Sequence, residues 1–393
     1  MKRLTIMLKP SSSLCNMRCG YCFYSDVAAS RHEKSMGFMT RETASAIIRN
    51  VYCEMLPGDA VTFAFQGGEP GLAGLDFFRF FTAEVKGAAP PGVGTNYAFQ
   101  TNGLMVDGEW AAFFKDNGFL VGLSLDGDAA LHNRNRSDRE GKGTFNRVME
   151  AKRTMDRHGT MYNILCVLTA ESARRAGRVW DFIKSENIRY IQFIPCLEAL
   201  DGEPHPAALT SERFYRFYTA LFPLWRDEAL RGNVVCVRLF EDLAGIYLTG
   251  RGITCGVSGR CSPQIAVEAD GGVYPCDFYM LDENRVGDLN RQSIREVFEA
   301  VVGSGFYTGV PPAPEACADC AYNRWCGGGC RRLARAVYNG AYDGGQGGRQ
   351  SGSLSGGQSG GQGCGQGGGQ GCGMRMFLDE RLEDLLATVK RLT

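Results

Sequence analysis

Short apolar stretches alternate with amphipathic ones along the first half of the chain. Six apolar stretches predict strands, at residues 4–10, 61–68, 97–103, 119–127, 162–169 and 190–197. Helical periodicity is found between them, at residues 39–55, 108–116, 144–158 and 172–186. Strands that are apolar throughout and are separated by helices are typical of a parallel sheet with helices outside it. The pattern therefore predicts an α/β fold, as a complete or partial barrel.

Polar or conformationally special residues end four of these strands, at positions 66–69, 100–102, 124–126 and 195–197. Such residues often do no more than terminate a strand. In α/β barrels, however, the carboxyl ends of the strands build the active site. Because four strands share the feature, and a cysteine-rich loop follows the first strand, the pattern favours a functional site at this end.

The second half of the chain differs from the first in composition and in its pattern of predicted elements. Residues 205–250 are predicted to be helical, and residues 265–279 predict a hairpin that turns at Asp270-Gly271. Residues 344–371 are almost entirely Gly, Gln and Ser, which predicts a disordered insertion. An amphipathic helix closes the chain. We therefore expect a barrel at 1–235, a cysteine-rich domain at 236–343, the insertion at 344–371, and a last ligand with its helix at 372–393.

Composition and charge argue against several classes of protein. The 393 residues are 44% hydrophobic, and 43 basic residues balance 43 acidic ones, so the formal net charge is zero. Neither a nucleic-acid surface nor a membrane-binding patch is predicted. No apolar run approaches the ~20 residues of a membrane span. The N-terminus lacks the apolar core and cleavage site of a signal peptide. We expect a cytoplasmic protein.

Sixteen cysteines are the most informative part of the composition. Since the cytosol keeps thiols reduced, clustered cysteines indicate metal or redox chemistry rather than disulfides. Cys15, Cys19 and Cys22 form a C-x3-C-x2-C loop that stops at three thiols. A structural zinc site needs four protein ligands, whereas a [4Fe-4S] cluster on three cysteines leaves one iron open. An open iron can bind a small molecule through an amine and a carboxylate.

Further cysteines lie between positions 255 and 330, ending in C-x2-C-x5-C-x3-C. Taken alone, this spacing could also be a zinc knuckle. Cysteines 53, 166, 196 and 236 stand singly in apolar contexts and are predicted to be small core side chains. The four histidines form no HxH or HxxxH pair, so they are predicted to be ordinary surface or core residues.

The cysteine loop and the Gly-Gly-Glu-Pro segment at 67–70 together resemble the radical S-adenosylmethionine (SAM) superfamily. The later cysteines resemble its SPASM extension, which houses two auxiliary [4Fe-4S] clusters. The closest resemblance is to the anaerobic sulfatase-maturating enzymes. It rests on KPSSSLCNMRCGYCFYSDV, FAFQGGEPGLAG, QTNG, FLVGLSLDG with HNRNR, YIQFIPCL and VYPCDFYMLD.

The resemblance implies a partial (β/α)6 TIM-like radical SAM barrel with a C-terminal SPASM domain. It also implies three [4Fe-4S] clusters, with SAM as co-substrate. The expected reaction oxidises a Cys or Ser in the C/S-x-P/A-x-R motif of a sulfatase to Cα-formylglycine, without oxygen. Reductive cleavage of SAM would give a 5′-deoxyadenosyl radical that takes a hydrogen from Cβ. The electron donor would be of the flavodoxin or ferredoxin type.

The resemblance also implies roles for single residues, each carried over from a matching position. Asp277 would be the catalytic base, and Tyr24 and Gln66 would face the substrate peptide. The SAM contacts would be Tyr21, Gly68, Ser124, Arg136 and Leu197. The SAM cluster would be held by Cys15, Cys19 and Cys22, the first auxiliary cluster by Cys255, Cys261, Cys276 and Cys330, and the second by Cys317, Cys320 and Cys326 with one more cysteine.

The last ligand is where the sequence departs from the family pattern, because the Gly/Gln/Ser tract occupies its usual place. Cys364 and Cys372 are the two cysteines that remain beyond residue 330. Cys372 leads directly into the closing helix, as the family's last cysteine does, so it is the expected ligand and Cys364 is the alternative.

Three other functions stay open at this point. Another SPASM-type enzyme that forms thioether or carbon–carbon crosslinks in peptides would share the clusters, and Asp277 in PCDFY argues against it. An iron–sulfur electron carrier would leave the Gly-Gly-Glu-Pro segment, Ser124 and Arg136 without a role. A zinc-stabilised scaffold would be colourless.

Overall fold

A single sheet with ten strands organises the part of the chain that the computed structural model describes, residues 2–252, 254–257, 259, 261–308, 315–338 and 371–392. The strands are β1 (Arg3–Leu8), β2 (Ala60–Phe65), β3 (Gly94–Thr101), β4 (Phe119–Ser124), β5 (Tyr162–Leu168), β6 (Tyr190–Pro195), β7 (Cys236–Val237), β8 (Ile265–Val267), β9 (Gly272–Tyr274) and β10 (Gly287–Asp288). Their order is β10-β9-β8-β1-β2-β3-β4-β5-β6-β7.

All neighbouring strands from β8 through β1 to β7 are parallel, and only the additions of β9 and β10 are antiparallel. The predicted α/β class and the six predicted strands are confirmed. β2 illustrates why these segments form central strands, since its Val61, Phe63 and Phe65 are fully buried. Phe65 meets Phe78 and Phe81 of the next helix edge to face, at 5.1 and 5.0 Å between ring centroids.

Helices connect the strands and cover the sheet. Within the described residues they are α1 (Phe23–Ala29), α2 (Arg41–Tyr52), α3 (Leu75–Ala88), α4 (Gly108–Asp116), α5 (Ala129–Asn135), α6 (Phe145–His158), α7 (Ala176–Ser185), α8 (Ser211–Leu230), α9 (Arg238–Thr249), α10 (Ile294–Gly303), α11 (Glu315–Ala318), α12 (Asn323–Cys326), α13 (Ala334–Val337) and α14 (Gly373–Leu392). Short 3-10 turns lie at Pro70–Ala73, Ser172–Arg174, Asp277–Tyr279, Asp282–Asn284 and Arg331–Leu333. The four helices predicted before residue 190 are present, and α3 is one that the sequence pattern did not include.

The predicted hairpin is formed by β8 and β9, and it joins the two halves of the molecule. Gly271 has φ +88° in the turn, and a Cβ there would lie 2.0 Å from the Asn290 side chain, so only glycine fits. β8 pairs with β1, and the backbone N–H of Lys9 extends the pairing by donating to the Val267 carbonyl at 2.9 Å. The hairpin thus adds β9 as an antiparallel neighbour of β8, and the chain that follows β9 reaches Lys9 through the side chain of Asp277.

The closing helix α14 packs along α8 and α9, where the Phe377 ring contacts those of Tyr218 and Phe240. The Ser211 hydroxyl donates to the Gly371 carbonyl at 2.7 Å, which fixes the start of this segment. Cys364 and residues 344–370 of the Gly/Gln/Ser tract lie outside the described residues. No helix among the residues described could cross a bilayer. The domain boundaries stay a prediction.

Candidate functional site

A cavity of about 600 Å³ opens at the carboxyl ends of the barrel strands. This size is typical of a small-molecule site. Fifteen of the predicted site residues line it: Cys15, Cys19, Tyr21, Cys22, Tyr24, Gln66, Gly68, Ser124, Arg136, Leu197, Cys255, Cys261, Cys276, Asp277 and Cys330. The second auxiliary set lies elsewhere. The structure thus brings the predicted SAM, substrate and base positions together beside two cysteine sets.

The cysteine loop is held by backbone contacts with the segment after α5. Arg18 N donates to the Ser137 carbonyl at 2.8 Å, and Gly20 N donates to the Asn135 carbonyl at 2.9 Å. The Arg139 guanidinium donates to the Cys15 carbonyl through Nε and Nη2, at 2.9 and 2.6 Å. The loop therefore has a fixed shape set by neighbouring backbone, which suits a preorganised ligand set.

The three thiols of this loop influence one another electrostatically. Burial, together with charge repulsion from Glu69, Cys19 and Cys22, raises the pKa of Cys15 to about 12. Burial likewise raises the pKa of Cys19 to about 11. Thiolates gathered in this way need a compensating positive charge, and metal binding supplies it with release of the thiol protons.

The two auxiliary sets show the same mutual influence. In the first, burial together with charge repulsion from Cys330 and Cys261 raises the pKa of Cys255 to about 11. Burial also raises the pKa of Cys276, with smaller contributions from the nearby Cys330 and Cys255. This grouping agrees with the ligand set that the resemblance implies, which stays a prediction.

In the second set, burial raises the pKa of Cys326 to about 11, with further contributions from Cys372, Cys317 and Cys320. Cys372 thus lies among the three other predicted ligands. Its Sγ also accepts from Arg375 N at 3.4 Å in the first turn of α14.

The donor sets fit iron–sulfur clusters. Every predicted ligand is a thiol, the soft donor that such clusters take. In the described part of the chain, no three His, Cys, Asp or Glu side chains are arranged to hold a single metal ion. The expected clusters would take three ligands from the loop and four from each auxiliary set, and these assignments stay predictions.

The Gly-Gly-Glu segment packs directly on the backbone that leads into the cysteine loop. Gly68 N donates to the Ser12 carbonyl, and Glu69 N to the Leu14 carbonyl, both at 2.8 Å. A Cβ on Gly68 would lie 2.0 Å from the Leu14 carbonyl oxygen, so this position requires glycine. The close approach keeps the Gly68 backbone at the cavity wall, as a SAM contact would need.

The Glu69 side chain anchors this segment from behind. Its carboxylate accepts from Gly71 N, Thr101 Oγ1 and Asn102 N at 3.0, 2.9 and 2.7 Å. Complete burial raises the pKa of Glu69 to about 7, and these three donors oppose the rise. The amide of Asn102 in turn approaches Cys15 Sγ at 3.7 Å. Glu69 therefore ties the second strand end to the third.

Arg136 lies in the cavity wall but is already paired. Its Nε and Nη2 donate to the two oxygens of Asp126, at 2.9 and 3.2 Å, and both residues are buried. Asp126 also accepts from the Tyr21 hydroxyl and, at 2.9 Å, from Val167 N. The carboxylate of a bound ligand would pair with the Nη1 group of Arg136, which Asp126 does not contact. Asp126 thus orients two of the five predicted SAM contacts.

His132 supports this cluster from the outer side. Its Nδ1 accepts from Asp126 N at 3.3 Å, and its Nε2 lies 3.0 Å from Thr144 Oγ1, which donates to the Arg136 carbonyl. Burial, with the charge of Arg136, lowers the pKa of His132 to about 4. The imidazole is therefore neutral in the folded protein, with the proton on Nε2.

We predict that His132 makes the protein sensitive to mild acid. Its folded-state pKa lies below the ordinary value of about 6.5, so below pH 6.5 the unfolded state binds a proton that the folded state does not. Stability should fall as the pH drops from 6.5 toward 4, by about 2 kcal/mol between pH 7 and pH 5. His132→Gln should remove this part of the loss.

Urea denaturation of the anaerobically purified protein at pH 7 and pH 5 measures the effect. His158→Gln, which removes an exposed imidazole, is the matched control. Equal losses for the wild type and His132→Gln would contradict the prediction.

Asp277 begins a 3-10 turn directly after Cys276, and its side chain is 14% exposed toward the cavity. Its Oδ1 is paired with Lys9 Nζ, which also lies 4.2 Å from the centroid of the Tyr24 ring. The Tyr24 hydroxyl is hydrogen-bonded to Glu268, and burial holds the pKa of Tyr24 well above its ordinary value. Tyr24 therefore presents its ring to the site, with its hydroxyl directed away into the protein.

The remaining predicted contacts are placed at strand ends. Ser124 ends β4 and is buried, Gln66 directly follows β2, and Leu197 lies two residues beyond β6; all three line the cavity. Sequence reasoning missed Lys9 and Glu268. Lys9 could have been found, because it directly follows β1 at the same end of the sheet as the other four strand ends.

The single cysteines are only partly as predicted. Cys166 and Cys196 are buried, as expected of small core side chains. Cys236 is half-buried, and for Cys53 the prediction is wrong, because Cys53 is exposed at the end of α2. The apolar residues around Cys53 point inward on α2, whereas its own position falls on the outer side.

Two family models match the chain, that of the radical SAM superfamily over residues 10–174 and that of an iron–sulfur cluster-binding domain, SPASM, over residues 255–321. A cysteine-type anaerobic sulfatase-maturating enzyme of Clostridium novyi is 39% identical to it over 84% of this chain and 89% of that protein. The chain belongs to the family of anaerobic sulfatase-maturating enzymes. The serine-type member from Klebsiella aerogenes is 31% identical over 85% of this chain and 81% of that protein.

Solved structures agree with this membership. Native anSMEcpe with bound AdoMet and Cp18Cys peptide matches with a TM-score of 0.86 and 33% identity, covering 100% of both chains. As a sulfatase-maturating enzyme, the protein is a radical SAM enzyme with iron–sulfur clusters, and the expected fold class is confirmed. The roles of individual residues stay predictions.

Proposed function

We propose that this enzyme oxidises the active-site cysteine of a sulfatase to Cα-formylglycine, with SAM as co-substrate. One observation carries the proposal: a single cavity is lined by the three-cysteine loop, the Gly68 backbone and Asp277. These are the parts that the reaction needs, namely a cluster site, a SAM site and a base. Together with the family membership, they support sulfatase maturation over a simple electron carrier.

The enzyme's own residues have distinct tasks in this proposal. Cys15, Cys19 and Cys22 hold the cluster that leaves one iron for SAM. When bound, the cluster and SAM would supply a 5′-deoxyadenosyl radical that takes a hydrogen atom from Cβ of the target residue. Once the thiol proton has been removed, the remaining electron would pass to the auxiliary clusters, and water would hydrolyse the resulting thioaldehyde to formylglycine with release of hydrogen sulfide. Arg136 pairs with the SAM carboxylate through its outer edge, and Asp277 accepts the proton of the substrate thiol.

The ring of Tyr24 and the side chain of Gln66 lie on the substrate side of this arrangement. The auxiliary ligands in the proposal are Cys255, Cys261, Cys276 and Cys330 for the first cluster, and Cys317, Cys320, Cys326 and Cys372 for the second. A low-potential flavodoxin or ferredoxin would supply the electron, and the cytoplasm is the compartment that suits so many free thiols.

Cysteine is the favoured target over serine. The cysteine-type relative is 39% identical to this chain, whereas the serine-type relative is 31% identical. A thiol is also the more acidic group, with an ordinary pKa of about 8.5, so a carboxylate base takes its proton more readily than that of a hydroxyl. Crosslinking of a peptide is the competing function, and its product would differ in mass.

The test is anaerobic incubation with SAM, dithionite and a short peptide carrying C-x-P-x-R, followed by mass spectrometry. We expect formylglycine at the cysteine, and a lower rate with the matched S-x-P-x-R peptide. A colourless protein, or SAM cleavage with no change in either peptide, would refute the proposal. A crosslinked product would instead favour the competing function.

A further inference from the structure

Lys9 is the cation that holds the Asp277 carboxylate, and it is itself fixed by a buried network. The Lys9 side chain is 1% exposed and its ammonium pairs with Asp277 Oδ1. We propose that Lys9 is a positioning residue for Asp277, and that Tyr24, Glu268 and Arg31 fix Lys9 in turn. The inference rests on the proposed function, in which Asp277 accepts a proton from the substrate.

The backbone of Lys9 is fixed where two halves of the molecule meet. It directly follows β1, and its N–H donates to the Val267 carbonyl at the end of β8. Gly67, with φ +127°, makes room for the aliphatic part of the side chain, because a Cβ there would lie 3.2 Å from Lys9 Cδ. The aliphatic part of the Lys9 side chain is therefore enclosed by protein, and the ammonium at its end is held beside Asp277.

The Tyr24 ring is a platform for this ammonium, with Nζ 4.2 Å from the ring centroid. A buried cation is attracted to the face of an aromatic ring. The position of the ring is fixed at its far end, because its hydroxyl is bonded to Glu268 Oε1. Arg31 Nη1 donates to the same oxygen at 2.6 Å, and Ala269 N donates to Oε2 at 3.0 Å. Two parts of the chain, residues 24–31 and 267–269, thus converge on the position of Lys9.

The charges of this network balance. Lys9 and Asp277 form one pair and Arg31 and Glu268 the other, and the second pair is completely buried. An unpaired charge in such surroundings would be costly, so each cation keeps its carboxylate in place. Since Lys9 engages Oδ1, the carboxylate offers Oδ2 to a substrate. Lys9 thereby sets the direction in which Asp277 meets the target thiol.

Lys9→Met tests the inference, because methionine keeps most of the stem and removes the ammonium. We expect the formylglycine rate to fall by about 10²-fold, since a misplaced catalytic group can cost this much. The peptide KM and the iron content should stay at wild-type values, while the yield of formylglycine per 5′-deoxyadenosine falls. Lys9→Arg, which restores a cation, should recover part of that yield.

The decisive comparison is a double-mutant cycle with Asp277→Asn. If Lys9 acts through Asp277, Lys9→Met should add no further loss to the Asp277→Asn enzyme. An additional loss there, or a wild-type product yield for Lys9→Met, would overturn the inference. Failure of the proposed function is distinguishable, because the wild-type enzyme would then form no formylglycine.

A second variant covers the case in which Lys9→Met loses its clusters. Tyr24→Leu removes the platform and leaves the Lys9–Asp277 pair. At saturating peptide, where loss of a substrate contact no longer limits binding, it should lower the yield of formylglycine per 5′-deoxyadenosine in the same direction. A wild-type yield for Tyr24→Leu with a full iron content would also overturn the inference.

Discussion

Replacing Asp277 with asparagine should lower formylglycine formation by about 10²- to 10⁴-fold, the range that a general base contributes. Asparagine has nearly the same shape but cannot accept the proton of the substrate thiol. SAM cleavage should persist, because the cysteine loop and the residues around Arg136 are untouched. The ratio of formylglycine to 5′-deoxyadenosine should therefore collapse, measured by mass spectrometry and chromatography of the same reaction.

Asp282→Asn is the matched control for this substitution. Asp282 begins the next 3-10 turn, is one-third exposed, and accepts from His32 N at 2.8 Å. Removing its charge should leave the product ratio at the wild-type value. Iron content must be compared for both variants, because Asp277 is adjacent to the predicted ligand Cys276. Full product yield from Asp277→Asn would eliminate Asp277 as the base.

Much of the site could be predicted because it is built from strand ends. Gln66, Ser124 and Leu197 lie close after strands whose apolar runs are plain in the sequence, and parallel strands end at one edge of the sheet. Gly68 is predicted from the resemblance of the Gly-Gly-Glu-Pro segment, and the structure gives the reason for the glycine, since the close packing on Leu14 leaves no room for a side chain. Local pattern and topology place these positions at one end of the sheet, whereas their roles as SAM and substrate contacts are implied by the resemblance and stay predictions.

The network behind Asp277 could not be predicted in this way. Glu268 and Tyr24 are separated by 244 positions, and Arg31 reaches Glu268 across 237. Their contact depends on β8 joining the sheet beside β1, and β8 has only three residues. A strand this short gives no clear periodicity, so its partner is decided by packing of the whole fold rather than by its own sequence.

For Arg136 the sequence predicts the side chain but not its hydrogen-bond partner. The sequence predicts a guanidinium for a SAM carboxylate, but it does not reveal that Asp126 already occupies the Nε/Nη2 edge of that guanidinium. The pairing makes Arg136 rigid and partly neutralises it. Binding of a carboxylate to Arg136 depends on the direction of its remaining Nη1 group more than on its net charge. The residue type alone does not specify that direction.

Cys372 lies where the predicted second auxiliary set needs its fourth ligand, a position that local sequence only suggested. It lies immediately before α14, and α14 is packed on α8, so the position of its thiol is fixed by a helix of twenty residues. The N-terminus of a helix stabilises a thiolate. Cys317 and Cys320 belong with it, as their mutual electrostatic influence indicates. These contacts favour Cys372 over Cys364 as the fourth ligand.

Cys372→Ser should therefore cost the enzyme one of its three clusters, roughly a third of its bound iron, because a hydroxyl is a poor replacement for a soft thiolate ligand. Cys364→Ser is the matched control and should keep the full iron content. Iron and sulfide analysis of anaerobically reconstituted protein, with the absorbance of the clusters, measures both. SAM cleavage should survive in Cys372→Ser, since the three-cysteine loop lies in a different part of the structure. Iron lost from Cys364→Ser and retained in Cys372→Ser would reverse the assignment.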